Sequence, residues 1–388
     1  MTTHAPANQM PTPTNPRRGL LAKVGVPLLE RLTTPHSPDR YLEMINPTWS
    51  LREVRATVTD ARRSAPGSIT VLVRPNSNWH GFQAGQHVVF TLLIAGVRRS
   101  RCYSVTTSEH HSDGLLEFTV RKGPDGLVSG FLHEELAPGT VVHITQAQGD
   151  FVLPLPRPAS VLLVSGGSGI TPVMAMLRTL CDEGYQGAVT FLHYSRRAED
   201  VPYAEETAAL AAAHPNVALL QVTTQEDSPL QGHFSQEQLE QHVPGWRDAT
   251  SYVCGSARLV QEVRALWAEH GLEHQLKAEQ FDPPAAIVPN DAKICGEVTF
   301  SRSGKTAENT GRPLLEQAEA LGLEPEYGCR MGICLSCTRH KTAGQVQHLH
   351  TGETTTESEA DIQLCVTVPV GGGRHGRPVA RRTAKEPP

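Results

Sequence analysis

Three cysteines stand in the order C-x4-C-x2-C at Cys329, Cys334 and Cys337, within Y-G-C-R-M-G-I-C-L-S-C at 327–337, and Cys365 follows 28 positions after Cys337. Thiolates at this spacing hold a [2Fe–2S] cluster, because a tight loop brings three sulfurs to one side and a distant segment supplies the last. Gly328 and Gly332 give the loop backbone freedom to wrap inorganic sulfide, and the small Ser336 lets N–H groups approach. Two other chemistries compete for cysteine. A zinc knuckle favours paired short spacings, and a disulfide staple suits secreted chains, whereas this N-terminus is polar and carries no apolar signal core. The spacing favours iron–sulfur, and Cys102, Cys181, Cys254 and Cys295 read as scattered reduced thiols.

Upstream lie residues able to hold nucleotide cofactors. Arg101-Cys102-Tyr103-Ser104 offers a phosphate clamp, a flat aromatic surface and a hydroxyl on neighbouring strand positions. G-L-V-S-G at 126–130 opens a helical segment whose first N–H groups suit a pyrophosphate, although Ser129 reads equally well as a plain helix cap. After an apolar strand at 161–165 comes Gly166-Gly167-Ser168-Gly169-Ile170-Thr171-Pro172 and then an apolar helix. A strand, glycine turn and helix let backbone approach phosphate, although Pro172 breaks the full G-x-G-x-x-G. The strand at 188–194 ends in Ser195-Arg196-Arg197. An acidic residue there favours a free ribose 2′-hydroxyl and arginine a 2′-phosphate, so the segment points to NADPH, against a surface pairing of these arginines with Glu199 or Asp200. Cys254 ends a later strand and Phe281 closes the module; each reads as a cofactor contact or as core.

These groups need rigid elements to carry them. Short alternating strands separated by Gly, Pro, Asn and Asp run from 51 to 156 and predict an antiparallel barrel or sandwich. From 158 to 281 strands alternate with helical patterns, which predicts an α/β unit with a helix at 173–180. Residues 282–293 are a proline-rich linker, followed by a hairpin around Ser303-Gly304 and a helix at 313–321. Residues 1–16 read as disordered. Leu20, Leu21, Val24, Leu28 and Leu32 then recur at helical spacing among Arg17, Arg18, Lys23 and Arg31, interrupted by Pro27. This is a helix packed on the next domain or a basic amphipathic element on a membrane surface.

At 388 residues the chain suits two or three domains, and its net charge of −5 is spread without long single-sign blocks. Nucleic-acid binding, which calls for a basic excess, is not expected. No apolar run is long enough to span a bilayer, and a cytoplasmic location is expected, with peripheral attachment at the inner membrane face through the N-terminal segment as an option.

Together R-C-Y-S, G-L-V-S and G-G-S-G-I-T-P resemble the ferredoxin–NADP reductase superfamily. The resemblance implies Arg101 on flavin phosphate, Tyr103 stacked on the isoalloxazine and Ser104 near its N5 edge. It also implies the Val128 and Ser129 amides at the FAD pyrophosphate, Gly167, Ser168 and Gly169 at the coenzyme, and Thr171 beside the nicotinamide. Cys254-Gly255-Ser256 resembles the C-G-P element by the hydride path, with serine for proline. Ala84-Gly85-Gln86-His87 is similar to the P-G-Q-x turn, and Gly149-Asp150-Phe151 to the closing strand of the barrel. The last segment resembles a β-grasp plant-type ferredoxin, except that the family continues after Cys365 with a final strand, where this chain enters a basic glycine-rich tail. That strand is expected to be short or missing, or the tail an addition.

The implied organisation is multidomain: a partly disordered extension (1–50), an FAD-binding antiparallel β-barrel (51–157), an NAD(P)-binding α/β domain (158–281), a linker (282–293), an α+β β-grasp ferredoxin domain (294–370) and a flexible basic tail (371–388). The order resembles single-chain reductases that serve oxygenases, and Y-L-E-M-I-N-P-T-W-S at 41–50 looks closest to partners of membrane fatty-acid desaturases in actinobacteria. A hydride carries two electrons and a [2Fe–2S] centre takes one, so a flavin must stand between them. The resemblance thus implies an NADPH-dependent oxidoreductase that passes electrons through FAD and the cluster to an oxygen-activating protein. A membrane desaturase is the first expectation, and a ring-hydroxylating or alkane-hydroxylating oxygenase the alternative. NADH and FMN stay open. From another class, a flavin/iron–sulfur redox sensor would turn over slowly. A self-sufficient oxygenase would need a further metal set, and the 18 histidines look dispersed, with the local pair His348 and His350 expected at the surface.

Overall fold

The computed structural model describes residues 38–94, 96–124, 126–226, 228–281, 296–332, 335–370 and 380–381. The amphipathic stretch at 17–32, the linker at 282–293, Cys295, Cys334 and nearly all of the basic tail lie outside the described residues.

Helix α1 (Pro38–Ile45) precedes six antiparallel strands: β1 (Val54–Ala65), β2 (Ser68–Pro75), β3 (His87–Ile94), β4 (Val97–Ser104), β5 (Leu116–Arg121) and β6 (Val141–Ile144), with α2 (Leu127–Glu134) between the last two. Their order in the sheet is β4-β3-β6-β1-β2-β5. Alternating side chains turn Ala56, Val58, Val71, Val73, Val88, Phe90 and Phe118 into one core. Phe90 lies at its centre, edge-on to Phe118 at 4.7 Å and to Tyr103 at 5.6 Å. Tyr103, from the R-C-Y-S strand, is thereby fixed against the core while its other face borders a cleft.

The second body is a parallel sheet in the order β11-β10-β7-β8-β9. Its strands are β7 (Ser160–Gly166), β8 (Ala188–Ser195), β9 (Val217–Thr223), β10 (Thr250–Gly255) and β11 (Leu276–Gln280), and its helices α3 (Ile170–Asp182), α4 (Ala204–Ala213), α5 (Gln236–His242) and α6 (Ala257–Glu269). The middle of β7, Val161 to Val164, is apolar because it is covered on both faces: Val161 and Leu163 share a core with α3, while Leu162 and Val164 share one with Trp246 and Trp267. Strand order reverses at β7, which pairs with β8 on one side and β10 on the other. At such a switch point an open α/β sheet forms its ligand crevice. The helix expected at 173–180 is longer, beginning at Ile170 directly on the glycine turn.

The third body contains the hairpin β12 (Glu297–Phe300) and β13 (Lys305–Glu308), helix α7 (Leu314–Ala320), and the short strands β14 (Thr338–Lys341), β15 (Val346–His348), β16 (Thr354–Thr355), β17 (Ala360–Gln363), β18 (Thr367–Pro369) and β19 (Ala380–Arg381). Phe300, Leu314, Leu315, Leu364, Cys337 and Cys365 share its core. The strand after Cys365 is present and short: β18 has three residues and pairs with β15. The pair His348 and His350 is half-buried, not at the open surface, and His350 Nε2 lies 3.0 Å from the Met331 carbonyl oxygen. Among the described residues no helix is long and apolar enough to cross a membrane.

Candidate functional site

A cleft of about 370 Å³ opens where the three bodies meet. The barrel contributes Arg101, Cys102, Tyr103 and Ser104 from the end of β4, together with Gly126, Val128 and Ser129 from the start of α2. The α/β unit contributes Ser168, Thr171, Glu279 and Phe281, and the cysteine loop contributes Cys329, Arg330 and Met331. Residues expected at a flavin therefore line one cleft with the loop expected at a cluster.

The groups lining this cleft suit FAD. Ser104 is buried, lines the cleft, and its Oγ has no hydrogen-bond partner among the described residues, so the hydroxyl can bond a group bound there. Burial raises the pKa of the Tyr103 phenol, partly offset by Arg101, so the ring stays neutral. Arg101 donates through Nη1 to Ser100 O at 2.8 Å and to Gly328 O at 3.4 Å. At Gly126 an added Cβ would stand 2.2 Å from Ser129 Oγ, so only glycine leaves the helix start this closely packed. Ser129 Oγ is itself engaged, donating to Gly126 O and accepting from Gly123 N, both at 3.1 Å. The hydroxyl thus braces the turn, and the first-turn amides of Val128 and Ser129 are the groups a helix start offers to a pyrophosphate.

An adjoining cleft of about 410 Å³ shares Ser168, Arg121 and Phe281 with the first. It is lined by Gly166, Gly167, Tyr194, Ser195, Arg196, Asp200, His233, Phe234 and Arg258 among others. Arg196 Nε stands 3.5 Å from Asp200 Oδ2, on the edge of the cleft. Arg197 does not line it and instead pairs with Glu199 at 3.4 Å. Thr171 borders the first cleft, its Oγ1 donating to Ser168 O at 3.1 Å. Gly169 and Cys254 line neither cleft. They lie beneath the turn, where a Cβ on Gly169 would meet the Cys254 carbonyl oxygen at 2.1 Å. The missing side chain lets β7 and β10 end side by side.

Several lining residues carried no sequence signal. Arg121 ends β5 between the two clefts, with Nη1 3.7 Å from the position of a Cβ on Gly167. A charge closing an alternating strand just before G-P-D-G was the one available hint. Glu279 faces the first cleft with Oε2 unpaired among the described residues, and burial pushes its carboxyl up to about 8. Its Oε1 stands 3.8 Å from Nδ1 of the buried His87. His233, Phe234 and Arg258 come from two separate segments that only the fold unites.

In the cysteine loop, Cys329, Cys337 and Cys365 are all buried. Cys337 Sγ and Cys365 Sγ are 3.3 Å apart, and Met331 N donates to Cys329 Sγ at 3.3 Å. The pairing with Cys337, and then burial, raises the Cys365 thiol pKa, so ionising it here calls for a nearby positive charge. Left-handed backbone at Arg330 (φ 60°), Gly332 (φ 77°) and Leu335 (φ 56°) brackets the position of Cys334. Non-glycine residues adopt that region only where surroundings enforce it. Arg330 is held by Glu319 and by the Tyr327 ring, 4.0 Å from the guanidinium. Buried thiols, an amide aimed at sulfur and a bent loop fit an iron–sulfur cluster.

Comparison with known proteins finds three domain families along the chain. The oxidoreductase FAD-binding domain family matches residues 68–153, the oxidoreductase NAD-binding domain family 163–265, and the 2Fe-2S iron-sulfur cluster binding domain family 298–370. An NADPH oxidoreductase of Mycobacterium tuberculosis is 37% identical over 345 residues, covering 88% of this chain and 89% of its own. A glycine betaine monooxygenase reductase subunit of Chromohalobacter salexigens is 30% identical over 315 residues, covering 74% and 85%. Among solved structures, phthalate dioxygenase reductase shares the fold with a TM-score of 0.57 at 20% identity, over 84% of this chain and 97% of its own.

Proposed function

The chain belongs to the ferredoxin–NADP reductase superfamily, among the single-chain reductases with FAD-binding, NAD-binding and [2Fe–2S] domains, and we propose that it carries electrons from NADPH to an oxygen-activating membrane desaturase. It is an NAD(P)H-dependent flavin and iron–sulfur oxidoreductase. FAD held in this cleft would supply the chemistry that links a two-electron hydride donor to a one-electron cluster. The observation that carries this reading is the single cleft that Arg101, Tyr103, Ser104, Thr171 and Cys329 all line.

The chain's own residues act there by position and charge. Arg101 and the amides of Val128 and Ser129 hold the flavin phosphates, Tyr103 supplies the stacking face, and Ser104 bonds the ring edge. Cys329, Cys337 and Cys365, with Cys334, hold the cluster. Gly167 and Ser168 let the coenzyme pyrophosphate approach, and Thr171 stands where the nicotinamide enters. Phe281, shared by both clefts, would lie against a flavin held there. No nucleophile or general acid is needed for the central transfer.

NADPH is favoured because Arg196 and Arg258 line the second cleft with Ser195, two cations and a hydroxyl suited to a 2′-phosphate. The desaturase is favoured by the segment at 41–50, which exposes Tyr41, Met44, Ile45 and Trp49 and follows in sequence the basic apolar stretch at 17–32 after residues 33–40. Aromatic and aliphatic side chains beside basic residues suit peripheral binding at a membrane interface, where such a partner resides. A second reading, an oxygenase component as acceptor, is favoured by relatives that are reductase components of monooxygenases.

The test is turnover of the purified protein with NADPH and with NADH, using an artificial one-electron acceptor and then a membrane desaturase and a soluble oxygenase component. Rapid NADPH oxidation coupled to the desaturase is expected. Fast turnover with the oxygenase alone would move the assignment to the second reading, and slow turnover with every acceptor would point to a sensor.

A further inference from the structure

Behind the clefts, Arg178 of α3 joins the α/β unit to the barrel. Its Nη1 donates to Glu117 Oε1 at 2.7 Å and to the Thr106 carbonyl at 2.8 Å, both on the barrel. Its Nε and Nη2 grip the two oxygens of Glu206, at 2.7 Å each. The guanidinium also lies over Tyr203, 4.9 Å from the ring centre. Arg178 thus spends one edge on each body, and no neutral slide along the interface keeps all these bonds.

Tyr203 stands just ahead of α4 with φ 67° and ψ 16°, a left-handed conformation that a bulky side chain adopts only under constraint. Its hydroxyl bonds to Thr119 Oγ1 and donates to Thr106 Oγ1 at 3.3 Å. Thr106 Oγ1 in turn donates to Glu117 Oε1 at 2.8 Å, and Thr119 Oγ1 is 2.6 Å from Thr70 Oγ1. Thr119 is itself part of the wall of the first cleft. A strained residue of the nicotinamide-binding body is therefore tied, through one hydroxyl, to the wall of the flavin-binding one.

We propose that Tyr203, held by the Arg178–Glu117–Glu206 clamp, is a positioning residue that fixes the coenzyme end of the α/β unit against the flavin wall of the barrel. The proposal rests on the reductase reading for the reaction it serves. Hydride transfer is sensitive to misplacement on the scale of an ångström, and a satisfied polar clamp sets that distance in the fold itself, without a closing motion.

The holoprotein carrying Tyr203→Phe keeps the ring over Arg178 and loses the hydroxyl. In stopped-flow reduction by NADPH its rate constant for flavin bleaching is expected to fall about tenfold or more, with the coenzyme dissociation constant within about twofold, and the isotope effect with 4-deuterated coenzyme to rise. Glu117→Gln, which weakens the clamp from the barrel side, is expected to give the same signature. Calorimetry without coenzyme reads the clamp independently: both variants are expected to separate the unfolding of barrel and α/β unit beyond the wild-type pattern. A Tyr203→Phe protein with wild-type rate and isotope effect overturns the proposal, even if its midpoint falls. Failure of NADPH and NADH to bleach the wild-type flavin would instead sink the reductase reading, and calorimetry would then decide the clamp alone, unchanged transitions overturning it.

Discussion

Arg101 of the barrel donates through Nη1 to the carbonyl oxygen of Gly328, 227 positions along the chain, at 3.4 Å. Gly328 immediately precedes Cys329, so the arginine of the R-C-Y-S strand touches the cysteine loop itself. Below this bond, Val89 and Cys329 form a small apolar cluster with Cys102 and Met331 packed against it. The strand expected at the flavin and the cysteine loop are thus in direct contact.

That adjacency makes the cluster separable from the flavin by mutation. Cys337 is 2% exposed and its Sγ lies 3.3 Å from that of Cys365. Cys337→Ser is expected to abolish the paramagnetic signal of the reduced cluster and to cut delivery to a one-electron protein acceptor by about a hundredfold or more, since a hydroxyl replaces a thiolate ligand. Direct reduction of the flavin by NADPH is expected to stay near wild type. Electron delivery that survives in this variant would take the cluster off the route.

The parts legible in the sequence were those where chemistry dictates local spacing. C-x4-C-x2-C, R-C-Y-S and G-G-S-G-I-T-P each lie within one turn or strand end, and the structure brings Cys329, Tyr103 and Thr171 to a common cleft. Sites assembled by tertiary contact were illegible. Arg121, Glu279, His233 and Arg258 come from four segments, and no periodicity marks them. Neighbours in sequence also part company in space, as Arg196 reaches the second cleft while Arg197 turns to Glu199. The final strand was uncertain from sequence because β18 has only three residues, too few for an alternation pattern to register.

The parting of the two arginines predicts unequal effects on coenzyme choice. Arg196→Ala removes the guanidinium that lines the second cleft and frees Asp200, leaving an acidic edge where a 2′-phosphate would sit. The KM for NADPH is expected to rise about tenfold or more, with that for NADH nearly unchanged or lower. Arg197→Ala is expected to change neither beyond about twofold, because its partner Glu199 is a surface carboxylate. Steady-state kinetics with both coenzymes check this, and equal losses with NADPH and NADH in Arg196→Ala would remove the charge argument.

Glu279 gives a pH dependence with a definite sign. Burial lifts its carboxyl from 4.5 to about 8, so the folded chain keeps a proton that the unfolded chain releases. The stability linked to this group is fully present below pH ~4.5 and is lost as pH rises toward ~8. In the protein stripped of flavin, Glu279→Gln is therefore expected to gain about 2–5 kcal/mol over wild type between pH 5 and pH 8.5. Urea unfolding at the two pH values checks it, and parallel pH profiles for the two proteins would show that the carboxylate is solvated after all.

The contact between Gly169 and Cys254 locates the least tolerant position of the switch point. A Cβ at residue 169 would lie 2.1 Å from the Cys254 carbonyl oxygen and 2.7 Å from Gly255 N, both backbone atoms, so no rotamer change relieves the clash. Gly169→Ala must push the start of α3 away from the end of β10, at a cost of about 3 kcal/mol or more. At Gly184, in the turn after α3, an added Cβ meets nothing within 4 Å, and Gly184→Ala bears only the strain of φ 61°. Urea unfolding is expected to rank Gly169→Ala well below Gly184→Ala, with coenzyme binding weakened only in the former, because the displaced turn is the one that carries Gly167 and Ser168. Equal stability and equal coenzyme affinity in the two variants would mean that the strand ends at the crevice can separate freely, and that the close approach of β7 to β10 has no part in shaping it.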